Sequence, residues 1–264
     1  MAKKIKKIRK FNKKSALKLL IYFCALLILS AISYFGYRWW QYRRAKLMHY
    51  PEFGIIIPEP YMIHGIDVSR YQDIIAWEEV KAMQVRDIKL GFAYIKATEG
   101  IGKTDPQFRR NWKRSKQAGM IRGAYHFFLA TKDGKKQAQN FIKIVDIEPG
   151  DLPPVLDVEQ TYGVSKVTLR KEVRQFLTTI ENYYGIRPII YTNVDFYEQY
   201  LSKGDFENYP LWVAHYYQPD TPRINRSWVF WQHSEEGRVN GILWKVDFNV
   251  FSGDSVAFRN LLIH

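Results

Sequence analysis

Nineteen consecutive uncharged residues, Leu19 to Tyr37 (LLIYFCALLILSAISYFGY), divide the chain into two parts of different chemistry. A helix of that length spans a bilayer hydrocarbon core of ~30 Å. Nine basic residues precede the run between Lys3 and Lys18, and four follow it: Arg38, Arg43, Arg44 and Lys46. The heavier positive side stays cytoplasmic. The pattern therefore predicts a basic cytoplasmic tail over 1–18, a single membrane-spanning helix over 19–37, and everything beyond on the outer side of the cell membrane. Tyr34, Tyr37, Trp39, Trp40 and Tyr42 gather at the outer end, as an interfacial aromatic belt does. The competing reading is a cleaved signal peptide with a small-residue site near Ser30-Ala31 or Ser33. The apolar run is longer than a usual signal core, and bulky rings crowd those sites.

The formal charge of +14 points at first to a polyanionic partner. Its distribution removes that reading. Residues 1–46 hold 13 Lys/Arg and no acid, whereas the other 218 residues carry 27 basic and 26 acidic side chains. The main domain is electrically balanced, so no nucleic-acid partner is expected. The single cysteine, Cys24, lies in the apolar run. Disulfides, thiol catalysis and cysteine-ligated metals are thereby excluded from the main domain.

Residues 38–61 read as a juxtamembrane connector, extended over 47–61 because Pro51, Pro58 and Pro60 disfavour a helix. From residue 62 to 264 short apolar runs alternate with amphipathic stretches. Strands are predicted at Ile63–Val68, Gly91–Lys96, Gly123–Phe128, Pro154–Val158, Pro188–Thr192, Leu211–His215, Val229–Gln232 and Val246–Val250. Helices are predicted at Trp77–Gln84, Pro106–Gln117, Lys135–Val145, Lys166–Tyr184 and Asp195–Leu201, with Asp105 and Pro106 as an N-cap and first-turn pair. The alternation argues for parallel βαβ units, and eight strands in about 200 residues argue for an α/β fold of (β/α)-barrel type. Its later crossovers, 217–227 and 235–245, carry no helical period.

The segment Leu152-Pro-Pro-Val-Leu-Asp-Val-Glu159 carries the most chemistry. Residues i and i+2 of a strand share a face. Asp157 and Glu159 therefore project together from a strand's C-terminal end, where barrel enzymes place catalytic groups. Two close carboxylates raise the pKa of one of them, which keeps an acid protonated near neutral pH. Taken alone, such a pair is equally a solvated strand end. Asp67, Glu99 and Asp247 also sit at or near strand ends. Several acids converging on one mouth favour a site.

Eight blocks in order resemble the family 25 glycoside hydrolases, the muramidases called CH-type lysozymes. They are GIDVSRYQ (65–72), YIKATEG (94–100), AGMIRGAYHFF (118–128), LPPVLDVE (152–159), YTN (191–193), PLWVAHY (210–216), WVFWQHS (228–234) and VDFNVFSG (246–253). Asp73, after Gln72, departs from the usual Pro, Gly or Glu. The resemblance implies a flattened, irregular barrel that cleaves the β-1,4 bond between N-acetylmuramic acid and N-acetylglucosamine in peptidoglycan glycan strands. It implies Glu159 as proton donor, Asp157 as its partner, and Asp67 and Asp247 as the other two acidic positions.

The D-x-E spacing adds a mechanistic expectation. Two carboxylates on one strand face lie on the same side of the scissile bond, whereas a conventional retaining pair flanks it. Same-side placement suits attack by the sugar's own 2-acetamido oxygen, with net retention. Tyr125, Tyr191 and Trp212 are expected to line the sugar groove, Gln232 to offer it an amide hydrogen bond, and Glu99 to act as a structural strand-end partner. His126, His215 and His233 do not form a spaced metal set, and neither metal nor cofactor is expected. The protein is expected to be a monomer. An anchored peptidoglycan-binding protein without turnover, or a hydrolase of another N-acetylated glycan, fits the same frame. Glu159 discriminates against the first, because a binding module gains nothing from a proton donor there.

Overall fold

A computed structural model describes the backbone of residues 13–264 and the side chains of residues 17–39 and 50–264; the basic stretch before Lys13 lies outside the described residues. The chain divides between Lys46 and Leu47 into two units. The first is dominated by helix α1, Lys13–Lys46, which extends beyond the predicted 19–37 at both ends. Nothing in that sequence stops it, because the first proline is Pro51. Its segment Leu17–Trp39 is 23 residues long with mean hydropathy 2.2, long and apolar enough to cross a bilayer. The large apolar side chains of that segment are exposed on the helix.

The second unit is an eight-stranded barrel: β1 His64–Val68, β2 Ile88–Glu99, β3 Ile121–Phe127, β4 Val155–Asp157, β5 Ile189–Asn193, β6 Leu211–Ala214, β7 Phe230–Gly237 and β8 Val246–Phe251. All eight predicted strands are present. Strands β1 to β7 pair in sequence order and in parallel. Strand β8 closes the barrel between β7 and β1 and runs antiparallel to both. The parallel βαβ pattern thus holds through β7, and β8 departs from it. Only Arg238–Lys245 separates it from β7, which is too short for a parallel crossover of a dozen or more residues.

Inside the barrel, Phe92, Tyr94, Trp212, Phe230 and Phe251 form an aromatic plug, with the Tyr94 and Trp212 rings 4.8 Å apart. The plug dictates glycine at 123, where a Cβ would lie 2.2 Å from the Tyr94 ring. The opposite strand faces, among them Ile66, Val68, Ala93 and Ile95, pack against the helices. Those helices are α2 Trp77–Ala82, α3 Phe108–Gln117, α4 Gly134–Ile144 and α5 Lys166–Tyr184. Helix α5 matches its predicted bounds: Ser165 caps its start by accepting from the Thr168 N–H, and Gly185 ends it at φ 68°. Helix α3 starts later than predicted. Asp105 Oδ1 accepts from the Gln107 N–H, while Oδ2 accepts from the Arg70 N–H, tying the turn to the loop after β1. Residues 194–201 form a helical turn that continues as a π-turn, and Ser255–Leu261 adds a helix the periodicity did not show.

The connector also needs correction. Leu47–Tyr50 and Ile55–Pro58 are extended, but they pair as an antiparallel hairpin belonging to the second unit. Tyr50, Phe53, Ile55 and Ile57 are buried, the Phe53 ring lies 5.2 Å from that of Phe248, and the Arg238 N–H donates to Phe53 O. Burying a large apolar side chain contributes about 1.5–3 kcal/mol, so four of them contribute on the order of 6 kcal/mol or more. A chain beginning at Leu47 should fold, whereas one beginning at residue 62 should lose most of its stability. Thermal and urea unfolding of the two fragments checks this; equal midpoints would refute it.

Candidate active site

At the C-terminal mouth of β1–β7 the barrel opens into a cavity of about 280 Å³. All eight residues singled out from sequence line it: Asp67, Asp157, Glu159, Asp247, Tyr125, Tyr191, Trp212 and Gln232. Each barrel strand places at least one residue in its wall. The reversed direction of β8 explains how Asp247 takes part. Second in its strand, it would sit at the closed end of a parallel barrel; in an antiparallel strand it stands at the mouth, directly across from Asp67.

The floor is a hydrogen-bonded chain. Trp212 Nε1 donates to Asn249 Oδ1 at 2.8 Å, and Asn249 Nδ2 donates to Asp67 Oδ2 at 2.7 Å. Gln232 Nε2 donates to the same Asp67 oxygen at 2.9 Å, and Gln232 Oε1 accepts from the hydroxyls of Tyr191 and Tyr216. Burial pushes Asp67 up to about 6 despite these donors. Asp247 is pushed up to about 9, first by burial and then by the charge of Asp67, to which it is hydrogen-bonded. The two carboxyls titrate as a pair that holds one proton across neutral pH, Asp247 donating and Asp67 accepting.

Asp157 and Glu159 occupy the facing wall. The ladder runs one residue past β4, because the Val158 N–H donates to Tyr191 O at 3.0 Å. The backbone therefore stays extended, and both carboxyls enter the cavity. Burial raises both pKa values; the Glu159 charge raises Asp157 further, and the Lys96 cation opposes the rise in each. Asp157 is the more buried of the two, and its Oδ1 is buried without a hydrogen-bond partner. A buried carboxyl oxygen left unsatisfied is costly unless something brings a donor to it.

Comparison with known proteins decides the family. Residues 66–242 match the glycosyl hydrolases family 25. The chain is 46% identical over 232 residues to an uncharacterised protein, YegX, of Escherichia coli K12, covering 88% of this chain and 81% of that one. It is 35% identical over 207 residues to lysozyme M1 of Streptomyces globisporus, covering 73% and 69% respectively. A family 25 glycosyl hydrolase structure from Bacillus anthracis superposes with a TM-score of 0.71 at 32% identity, covering 78% of this chain and 96% of that one. This chain is a family 25 glycoside hydrolase.

Two of the residues expected to meet sugar in this family 25 hydrolase do something else first. Gln232 has both ends of its amide engaged by Asp67, Tyr191 and Tyr216. Trp212 is only 2% exposed and is held between Tyr94 and Tyr191. Both line the cavity, with these groups already engaged inside the protein. Glu99 bridges Lys96 at 2.9 Å and Lys103 at 3.0 Å, outside the cavity wall. The histidines go elsewhere: buried His126 is held between Thr98 and Gln137.

Sequence reasoning missed Lys96, Asn249 and Tyr216. Lys96 is the one cation among the cavity's lining residues, and its ammonium lies 4.4 Å from the Phe127 ring centroid. A lysine inside the apolar run of β2 was its signal. Asn249 follows Asp247 by two, so the i, i+2 rule applied to Asp157 and Glu159 also selects it. Tyr216 lies just past β6, and nothing in its local sequence marks it.

Proposed function

We propose that the protein is a muramidase that hydrolyses the β-1,4 bond between N-acetylmuramic acid and N-acetylglucosamine with net retention. The observation that carries the mechanism is the Asp157–Glu159 pair on one extended segment, with both residues lining the cavity. Glu159 protonates the leaving oxygen as the C1–O bond breaks. The sugar's 2-acetamido oxygen bonds to C1, giving an oxazolinium ion. Its N–H donates to Asp157, whose negative charge balances the cation. Water then attacks C1, Glu159 takes its proton, and the acetamido group is restored. In the free enzyme Asp157, the more deeply buried group, competes for the proton. An acetamido N–H donated to it favours its ionised form and leaves the proton to Glu159. Names of relatives such as lysozyme M1 support the substrate.

Mass analysis of the products from purified peptidoglycan tests the activity. Reducing-end N-acetylmuramic acid is expected; reducing-end N-acetylglucosamine or no cleavage would overturn it.

The α1 segment Leu17–Trp39 supports a membrane anchor, and the nine-to-four basic asymmetry supports a cytoplasmic N-terminus. The hydrolase unit then faces the wall on the outer side. Protease added to spheroplasts should remove the domain and spare the basic tail. A mature protein beginning near residue 32 or 34 would show cleavage instead.

A further inference from the structure

The near balance of charge across residues 47–264 hides a separation. Residues 106–145 hold ten Lys/Arg and one acid, Asp133, whereas the rest of the second unit carries 17 basic and 25 acidic side chains. Helices α3 and α4 contain no acid at all. Asp133 precedes α4 and serves as its N-cap, accepting from the Lys136 N–H. The ion pairs of this region are made by Lys116 with Glu148 and by buried Arg122 with Asp151. Among the described residues, Arg109, Lys113, Arg114, Lys135, Lys136 and Lys143 are exposed and in ion-pair contact with no carboxylate.

The fold holds these cations together at a cost. Arg109 with Lys113, and Arg110 with Arg114, are like-charged pairs four residues apart on α3, which destabilise a helix. Arg109 and Arg110 stand in the first turn of α3, and Lys135 and Lys136 in the first turn of α4. The macrodipole is positive at a helix N-terminus, so acids are favoured there and cations are not. Helices α3 and α4 follow β2 and β3, so their first turns lie at the strand ends where the cavity opens. The basic face begins beside the mouth and runs down the outside of the barrel.

Two features choose between anionic partners. Among the described residues, α3 and α4 expose no large apolar side chain. The face therefore lacks the inserting groups with which a helix holds a lipid surface. Beside it, a groove of about 670 Å³ between α4 and α5 is lined in part by Lys135, Gln139, Thr178 and Asn182. Those amides and hydroxyls can pair with the N–H and C=O groups of a peptide.

We propose that the outer face of α3 and α4 docks carboxylate-bearing peptides, the chemistry of the acidic peptide stems that branch from a peptidoglycan strand. A strand held at the mouth presents its stems first to Arg109, Lys135 and Lys136, and complementary charge fixes them there. This rests on the muramidase reading above for the identity of the polymer, but it concerns a surface apart from the cavity and its carboxylates.

The test uses the full chain in nonionic detergent micelles, carrying Glu159→Gln so that the wall is not digested. Co-sedimentation measures binding to insoluble peptidoglycan, with its stems intact and after an amidase has removed them. The basic residues of 1–46 are unchanged throughout, so differences between variants report on the second unit. Arg109→Gln, Lys113→Gln, Lys135→Gln and Lys136→Gln together should weaken binding to the stem-bearing wall about tenfold at low salt, the order expected for four exposed ion pairs. The loss should shrink as salt rises and be absent on peptide-free glycan. A matched variant, Lys81→Gln, Lys89→Gln, Lys203→Gln and Arg223→Gln, has the same net charge and should bind like the parent. All eight side chains are exposed, so melting temperatures should hold. Unchanged binding in the face variant, equal weakening in both variants, or equal weakening with and without stems overturns the proposal. So does a face variant that loses binding to vesicles of anionic phospholipid but not to the wall. With Glu159 restored, the face variant should cleave peptide-free glycan at the parental rate. A parent that cleaves nothing would end the muramidase reading and leave this binding measurement in force.

Discussion

Glu159→Gln is expected to lower kcat by ~10²–10⁴-fold, the usual contribution of a positioned acid–base group. The change keeps the shape of the side chain and removes only its ability to give and take a proton. Glu159 is half-buried at the cavity wall and outside the core, so the melting temperature should move little. The effect should fall on kcat, because the carboxyl acts in the transition state. The pH profile carries a second check. In the proposed mechanism activity requires protonated Glu159, so it should be lost as pH rises through the pKa of this group. Burial places that pKa above the usual carboxylate value, and the Lys96 cation holds it down. Lys96→Met should therefore move the alkaline limb to higher pH. Glu99→Gln should move it the other way, because it frees the Lys96 ammonium from its partner. Steady-state rates across pH, with circular dichroism as a folding control, measure all three. A Glu159→Gln variant retaining a tenth or more of parental kcat would remove Glu159 from the donor role.

Much of the barrel was legible because hydrophobic periodicity is a direct record of burial. All eight strands and the full span of α5 could be read from runs and caps such as Ser165 and Gly185. The reversal of β8 was legible in principle, since the eight residues Arg238–Lys245 cannot make a parallel crossover. Counting that loop would have explained why Asp247, second in its strand, joins the other acids at the mouth. The hairpin at 47–58 was not legible, because two prolines and a glycine look like a linker whether or not a partner surface awaits them. Its burial depends on Phe248, about 195 residues away in sequence. The site was read as a set of acids, which strand-end positions reveal. Its wiring was hidden: Gln232 and Trp212 look like ligand contacts in sequence, and only the packed barrel shows them engaged by Asp67 and Asn249. Long-range hydrogen bonds leave no periodic trace.

Asp157→Asn is expected to lower kcat by ~10²–10³-fold, comparable to losing one preorganised electrostatic contact in a transition state. Two features lead to this. The carboxyl is largely buried and lines the cavity beside Glu159, and in the proposed mechanism it accepts an acetamido N–H. An amide in its place retains hydrogen-bonding capacity but carries no charge to balance an oxazolinium ion. Because the Asn variant loses that balance only as charge develops, substrate binding should suffer far less than kcat. A thiazoline mimic of the oxazolinium should inhibit the parent strongly and the Asn variant weakly, since the attraction between cation and carboxylate is what the variant lacks. The anomer first released, followed by NMR during cleavage, discriminates between mechanisms. Retention without a trapped glycosyl ester agrees with acetamido participation. Inversion would require a directly attacking water with a base on the opposite wall. There Asp67, pushed only to about 6, is better suited than Asp247, which holds its proton to about 9. Retention with an ester trapped on Asp67 would instead make that residue a nucleophile. The Asn249 and Gln232 donors on its Oδ2 argue against this, because two hydrogen bonds to a carboxylate oxygen weaken it as a nucleophile.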